Sequence, residues 1–233
     1  MNLRSLALVG AGALLFAGCV APLTRTSEVG NGLDFEFGGG LSAYRGGTIL
    51  KDTTVWWGGQ AVLRDVNAGP FGSLRLSYGY RNKYGGDLTI AGAFGPALRS
   101  GDEPGGWVNV ALAGKLRPWK SNHLFFAELG IPQLAVGWTG GFPFNRPERV
   151  SVTVKTGSKL PEDFVTRLTG DDLGNIVEEW LPPTMVQCNV ALNLRGRRGG
   201  MRVSPNAGFG VNFDWSPFKA GLSHFLAGVS VAP

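Results

Sequence analysis

Charged residues and histidines are scarce in this sequence of 233 residues. Only 17% of the residues are charged, compared with roughly a quarter in an average soluble domain. The two histidines, His123 and His224, are far apart and share no metal-ligand spacing, and the sequence contains neither a phosphate-binding glycine loop nor a GxSxG nucleophile elbow. We therefore assign no catalytic residue, and we expect neither a metal nor another cofactor.

An apolar run long enough for a transmembrane helix is also lacking at the N-terminus. Residues 6–17 (LALVGAGALLFA) form an apolar stretch of about a dozen residues, whereas a spanning helix needs about 20. The stretch follows Arg4, and no acidic residue precedes it, which is the layout of a secretory signal. We predict that residues 1–18 are a signal peptide.

The end of this stretch, LFAGC at residues 15–19, resembles the lipobox of bacterial lipoproteins. The resemblance implies that the signal is cut before Cys19 and that its thiol is acylated. In enteric bacteria an Asp after the cysteine retains a lipoprotein at the inner membrane, so Val20 favours the outer membrane. Residues 19–31 would then be a lipidated polar tether, and Cys188 would have no disulfide partner. The alternative is an ordinary signal peptide in which Cys19 occurs by chance.

Glycine and aromatic residues are abundant. The chain has 37 glycines, close to twice the average share, and 11% aromatic residues. A hydrophobic content of 43% argues against disorder. The combination is typical of an all-β chain with tight turns. The formal net charge of +5 is too small to indicate a nucleic-acid partner, and export of the chain argues against one as well.

Apolar and polar residues alternate with period two along most of the chain, which is the pattern of β-strands with two different faces. We predict about ten strands of roughly 9–14 residues. This is long enough for a tilted membrane strand, which needs about 9–11. Residues 32–233 are expected to form one all-β domain, an antiparallel up-and-down β-barrel of about 8–12 strands. Turn sequences such as Asn67-Ala68-Gly69-Pro70 should separate the strands. The alternating stretches include residues 33–42, 55–63, 74–81, 88–94, 108–116, 124–131, 150–154, 186–195 and 208–215.

Residues 160–181 (LPEDFVTRLTGDDLGNIVEEWL) depart from period two, because their apolar residues recur at helical spacing. Pro161 suits a first helical turn, and Pro182-Pro183 would end the helix. We predict a short helical insertion near residues 161–181. Elsewhere in the chain, Pro132 should break the stretch 123–140, because proline has no amide hydrogen for the ladder.

The polar face of the predicted strands is rich in Gly and Ala and poor in Lys and Glu. Such residues suit the lumen of a small barrel. Aromatic residues near strand ends, among them Tyr44, Tyr80 and Tyr84, suit the girdles at membrane interfaces. Over residues 33–231 the pattern resembles small bacterial outer-membrane β-barrels, which implies that the apolar face contacts lipid. The alternative is a soluble lipocalin-like barrel, tethered by its lipid, that binds a hydrophobic ligand.

Charged residues on the polar face and in one turn are the candidate site residues. If the polar face lines a lumen, its charges should form an ion-pair network that plugs the barrel, because unpaired buried charges are costly. A narrow charged pore is the alternative. The candidates are Asp34, Glu36, Arg75, Lys115, Glu128 and Asp214. A dense basic cluster is a candidate for contact with lipid phosphates, because arginine forks suit phosphate oxygens; it comprises Arg195, Arg197, Arg198 and Arg202.

Together these features predict a lipoprotein of the bacterial outer membrane with a structural or interaction role rather than an enzyme. Its partner is membrane lipid, through Cys19 and the barrel surface, and no feature identifies a protein partner. A barrel enzyme that modifies membrane lipids is the remaining alternative. Its evidence would be the Ser223-His224 pair, but adjacent residues of a strand point to opposite faces.

Overall fold

The computed structural model describes residues 26–45, 66–96, 104–118, 122–131, 133–143, 149–159, 185–195, 200–215 and 218–233. These residues form one antiparallel sheet. The strands are β1 (Gly32–Arg45), β2 (Val66–Tyr80), β3 (Tyr84–Gly95), β4 (Gly105–Leu116), β5 (His123–Ile131), β6 (Gln133–Phe142), β7 (Val150–Lys159), β8 (Met185–Leu192), β9 (Leu194–Arg195), β10 (Arg202–Trp215) and β11 (Phe218–Ala232). Because β8 and β9 both pair with β10 on either side of Asn193, they act as one barrel strand, and the barrel has ten.

The last strand closes the sheet. β11 pairs with β10 and also with β1, where Phe37 lies opposite Val231 and Tyr44 lies opposite His224. Closure leaves no free sheet edge of the kind that invites aggregation. The prediction of an all-β, antiparallel up-and-down barrel of 8–12 strands is confirmed.

Several predicted segments lie outside the described residues. They are the signal peptide 1–18, Cys19, the strand predicted at residues 55–63 and the helical insertion near residues 161–181. Among the described residues, no helix is long and apolar enough to cross a membrane.

The turn predicted at Asn67-Ala68-Gly69-Pro70 is wrong, because these residues belong to β2. They continue the ladder with β1, in which Asn67 lies opposite Tyr44 and Pro70 lies opposite Leu41. Asn67 is buried, and its Nδ2 donates to the Gly95 carbonyl over 3.3 Å. The turn-forming residue types therefore sit inside a strand, where pairing with β1 overrides their local preference.

Apolar side chains cover the outside of the barrel, and mainly polar or small side chains fill the inside. The alternation is clearest in β3, where Asp87, Thr89, Ala91 and Ala93 are buried while Leu88 and Ile90 are exposed. Large exposed apolar side chains recur on nearly every strand; they include Leu33, Phe37, Leu74, Ile90, Leu112, Leu129, Val136, Val190, Phe209 and Phe225. The two faces of the sheet thus differ in polarity, with the apolar face outward.

The two ends of the barrel differ in their connections. At the end where β1 begins and β11 finishes, here called the terminal rim, the strands are joined through residues 81–83, 117–122, 143–149 and 196–201. At the opposite end, the loop rim, the connections include residues 46–65 and 160–184. The longest connections therefore all emerge at the loop rim.

Aromatic rings lie over glycines inside the lumen. A Cβ added to Gly40 or to Gly228 would lie 2.8 Å from the Phe71 ring, and one added to Gly137 would lie 2.8 Å from Cε2 of Phe126. Distances this short do not occur between real Cβ atoms and their neighbours, so each ring occupies space that only glycine leaves free. The high glycine content thus lets large rings fit inside a narrow barrel.

Candidate functional site: the polar lumen and the terminal rim

Hydrogen bonds between side chains connect neighbouring strands on the lumen side of the barrel. Thr139 and Thr153 share a hydrogen bond of 3.0 Å between their hydroxyl oxygens. Asn193 Nδ2 donates to Ser151 Oγ over 3.1 Å, and Ser204 Oγ donates to Asn193 Oδ1 over 2.8 Å. Because all five side chains are buried, these bonds satisfy polar groups that bulk water cannot reach.

A first ion-pair cluster lies near the terminal rim. Glu36 lies directly opposite Arg75 in the β1–β2 ladder, and its Oε2 accepts a hydrogen bond from Arg75 Nη2. Arg202 Nη2 reaches the same oxygen from β10 over 2.9 Å. Arg202 crosses above β11 at the position of Ala232, whose small side chain leaves room for it. One carboxylate therefore joins two guanidinium groups from opposite sides of the β1–β11 closure.

Two further ion pairs link other strands of the barrel. Lys115 Nζ is 2.5 Å from Asp87 Oδ1, which also accepts a 2.7 Å hydrogen bond from Ser77 Oγ. Lys155 Nζ is 2.9 Å from Glu128 Oε1, with both side chains almost inaccessible to water. The second pair spans β6, because Glu128 lies on β5 and Lys155 on β7.

The structure brings some of the sequence-predicted network residues together and separates others. Glu36 contacts Arg75 as predicted. Lys115 contacts Asp87 and Glu128 contacts Lys155, two partners that were not predicted from the sequence. Asp34 is exposed at the terminal rim. The side chain of Asp214 lies outside the described part of the chain.

The predicted basic cluster is only partly described. Arg197 and Arg198 lie outside the described residues. Arg202 points inward to Glu36, and Arg195 forms an ion pair with Glu28 at the terminal rim. Both described arginines are therefore engaged by carboxylates of the chain itself.

The segment 26–31, which precedes β1, packs into the mouth of the barrel at the terminal rim. Thr26, Ser27 and Val29 are buried, and Asn31 Oδ1 accepts a 2.9 Å hydrogen bond from the backbone N–H of Asn82. A cavity of about 450 Å³ remains beside this segment, and Arg75, Lys115, Arg195 and Arg202 are among its lining residues. The end of the predicted tether is thus part of the barrel's packing.

The loop-rim half of the lumen holds a small apolar cluster. Tyr44, Ala91, Ala93 and Leu226 pack together with Phe71. Tyr44 was expected in an outer aromatic girdle, and that prediction is wrong. Its position places it on the inward face of β1, where it is 1% exposed and its hydroxyl donates to the Gly105 carbonyl over 2.6 Å.

His224, the candidate residue of the enzyme alternative, is buried in the lumen opposite Tyr44. Among the described residues, no group of three histidine, cysteine or acidic side chains could hold a metal ion. The chain matches no known protein-family model, and a search of curated proteins finds no significant match.

Proposed function

We propose that this protein is a lipid-anchored β-barrel of the bacterial outer membrane with a closed lumen and a structural or interaction role in the envelope. The observation that supports the proposal most strongly is the polarity of the barrel. Its outer face carries the large apolar side chains, while its interior carries three sets of ion pairs. A barrel in water has the opposite arrangement.

The outer face supports embedding in lipid. Soluble monomers rarely expose continuous apolar patches beyond a few hundred Å². Here the exposed apolar residues recur around the described strands; for example, Ile90 of β3 has Leu74 and Val110 as its cross-strand neighbours. Hydrocarbon would solvate such a surface. Because hydrocarbon cannot form hydrogen bonds with a free sheet edge, a membrane barrel must be closed, as the pairing of β1 with β11 makes this one.

The interior argues against the lipocalin-like alternative. A carrier of hydrophobic ligands needs an apolar cavity of a few hundred Å³. The cavity at the terminal rim is lined by arginines, a lysine and carboxylates, and Glu128, Thr139 and Gln187 deeper in the lumen are at most 1% exposed. The described lumen thus offers polar contacts rather than a hydrophobic site.

The terminal rim is the end that we assign to the periplasm. Outer-membrane barrels have short periplasmic turns and longer external loops, and the longest connections here emerge at the loop rim. Cys19 precedes Thr26 by only seven positions, so at about 3.6 Å per residue an acylated Cys19 would lie within about 25 Å of this rim. Lipid anchor and barrel would then enter the same leaflet.

Membrane extraction of a Cys19→Ala variant tests the proposal. We expect the variant, exported with an ordinary signal peptide, to remain in the membrane fraction after a carbonate wash, because the barrel itself holds it there. Unheated samples should migrate differently from boiled samples in gels. A variant that is released as a soluble monomer would contradict embedding.

Lipid A analysis separates the proposed role from the enzyme alternative. His224→Ala should leave the lipid A profile of cells unchanged. A changed profile, with the variant protein still present at wild-type level in the membrane, would favour the enzyme alternative.

A further inference from the structure

The turn between β2 and β3 holds a residue type that its backbone disfavours. Lys83 N–H donates to the Tyr80 carbonyl over 3.1 Å, which closes a tight turn with Arg81 at φ 54° and Asn82 at φ 53°. Left-handed positions suit Gly and Asn, and they cost other residues about 1–2 kcal/mol. Asn82 fits this rule and Arg81 does not. An arginine at such a position suggests a use for its side chain.

Both cations of this turn lie against exposed tyrosine rings. Arg81 Cζ is 5.0 Å from the centroid of Tyr80, and Lys83 Nζ is 5.0 Å from the centroid of Tyr84. Tyr80 and Tyr84 are cross-strand neighbours on the outer face and are each about half exposed. Distances within about 6 Å allow a favourable cation–π interaction. The two positive charges are thus held at the edge of the apolar surface.

Neighbouring segments of the same chain hold the turn in place without neutralising its two positive charges. Asn82 N–H donates to Asn31 Oδ1, and Arg117 N–H donates to the Lys83 carbonyl over 2.7 Å. These contacts involve the backbone of the turn and leave both cationic groups exposed. Among the described residues, neither Arg81 nor Lys83 forms an ion pair with a carboxylate.

We propose that residues 80–84, the basic turn, bind the phosphate of an anionic glycerophospholipid in the leaflet around the terminal rim. The inference rests on the proposed embedding and adds the class of lipid. A ligand for this site needs an anionic headgroup for the two cations. It also needs acyl chains for the apolar outer face next to the turn, where Tyr78 of β2 and Leu88 of β3 are exposed. Tyrosine rings prefer the headgroup level, and arginine binds phosphate oxygens with two parallel hydrogen bonds.

Lipid selectivity in bilayers tests this inference. The full-length mature protein would be reconstituted in phosphatidylcholine nanodiscs containing phosphatidylglycerol, and the preference for phosphatidylglycerol would be measured with spin-labelled lipids. Each cation removed from the basic turn should lower that preference about fivefold, so Arg81→Gln/Lys83→Gln should lower it about 25-fold. The matched control is Arg149→Gln, which removes an exposed arginine from another turn of the same rim and should change little.

An Arg81→Asn variant controls for misfolding. Asn tolerates the left-handed position, so this variant should fold at least as stably as the wild type and still lose about fivefold in preference. An unchanged preference in the double variant, an equal loss in Arg149→Gln, or a stronger preference for lipid A than for phosphatidylglycerol would overturn the inference. A wild-type protein with no motionally restricted lipid at all would instead refute the proposed embedding.

Discussion

An arginine in place of Ile90 tests whether lipid surrounds the barrel. Ile90 is 46% exposed near the middle of β3, and its outward neighbours on β2 and β4 are Leu74 and Val110. On the lipid face of a barrel, an arginine at the midplane costs about 2–4 kcal/mol. On a water-facing surface the same change usually costs within about 0.5 kcal/mol.

The expected cost translates into a large change in the folding equilibrium. A loss of about 2–4 kcal/mol lowers the ratio of folded to unfolded protein about 30- to 700-fold, since about 1.4 kcal/mol corresponds to a factor of ten. Urea unfolding in phospholipid vesicles, followed by tryptophan fluorescence, measures this loss as a lower midpoint at unchanged slope.

Leu33→Arg provides the control for depth. Leu33 is also outward, but it is the second residue of β1 at the terminal rim, where the cost of an arginine should fall to about 0–1 kcal/mol. If Ile90→Arg and Leu33→Arg both change the free energy of unfolding by less than about 0.5 kcal/mol, the outer face does not contact hydrocarbon and the proposed embedding fails.

Three further predictions concern the lumen. Glu128→Gln should lower the free energy of unfolding in urea by about 3–5 kcal/mol, because it removes the carboxylate that pairs with the buried Lys155 ammonium. Adding Lys155→Met should recover most of this loss. If the losses of the two single variants simply add in the double variant, the two residues are not coupled. Gly40→Ala should destabilise by about 1–3 kcal/mol because its Cβ would overlap the backbone at Ala227 and Gly228, whereas the outward Gly72→Ala, with open space around it, should change the unfolding midpoint little. In planar bilayers the protein should show no stable conductance steps because Glu128 and Thr139 on the lumen side are at most 1% exposed to water, and regular steps from wild-type protein would indicate a pore instead.

The sequence predicts the barrel well because a strand with two different faces leaves a local signal. Leu74 and Leu76 alternate with Arg75 and Ser77, and these residues lie on opposite faces of β2 as expected. The signal fails where residue type is ambiguous. Asn67 to Pro70 have the composition of a turn, yet their pairing with β1 decides their conformation, and that pairing involves residues distant in sequence.

The ion pairs are predictable only in part. Charged residues on the polar face of the strands can be recognised in the sequence, as Glu36 and Arg75 were. Which charges pair with each other depends on strand register and on the size of the side chains between them. Lys155 reaches Glu128 across a whole strand, a contact that no spacing in the sequence reveals. Asp87 was missed because it precedes the apolar stretch that marked β3.

The pairing of β1 with β11 has a consequence for how the protein is made. Phe37 can pair with Val231 only after the residues up to Val231 have been synthesised. Until then the two outer strands of the incomplete sheet present an unpaired edge together with an apolar face, a combination that promotes aggregation. In the proposed outer-membrane location, an escort that keeps the chain unfolded in transit would protect these surfaces until β1 and β11 can meet.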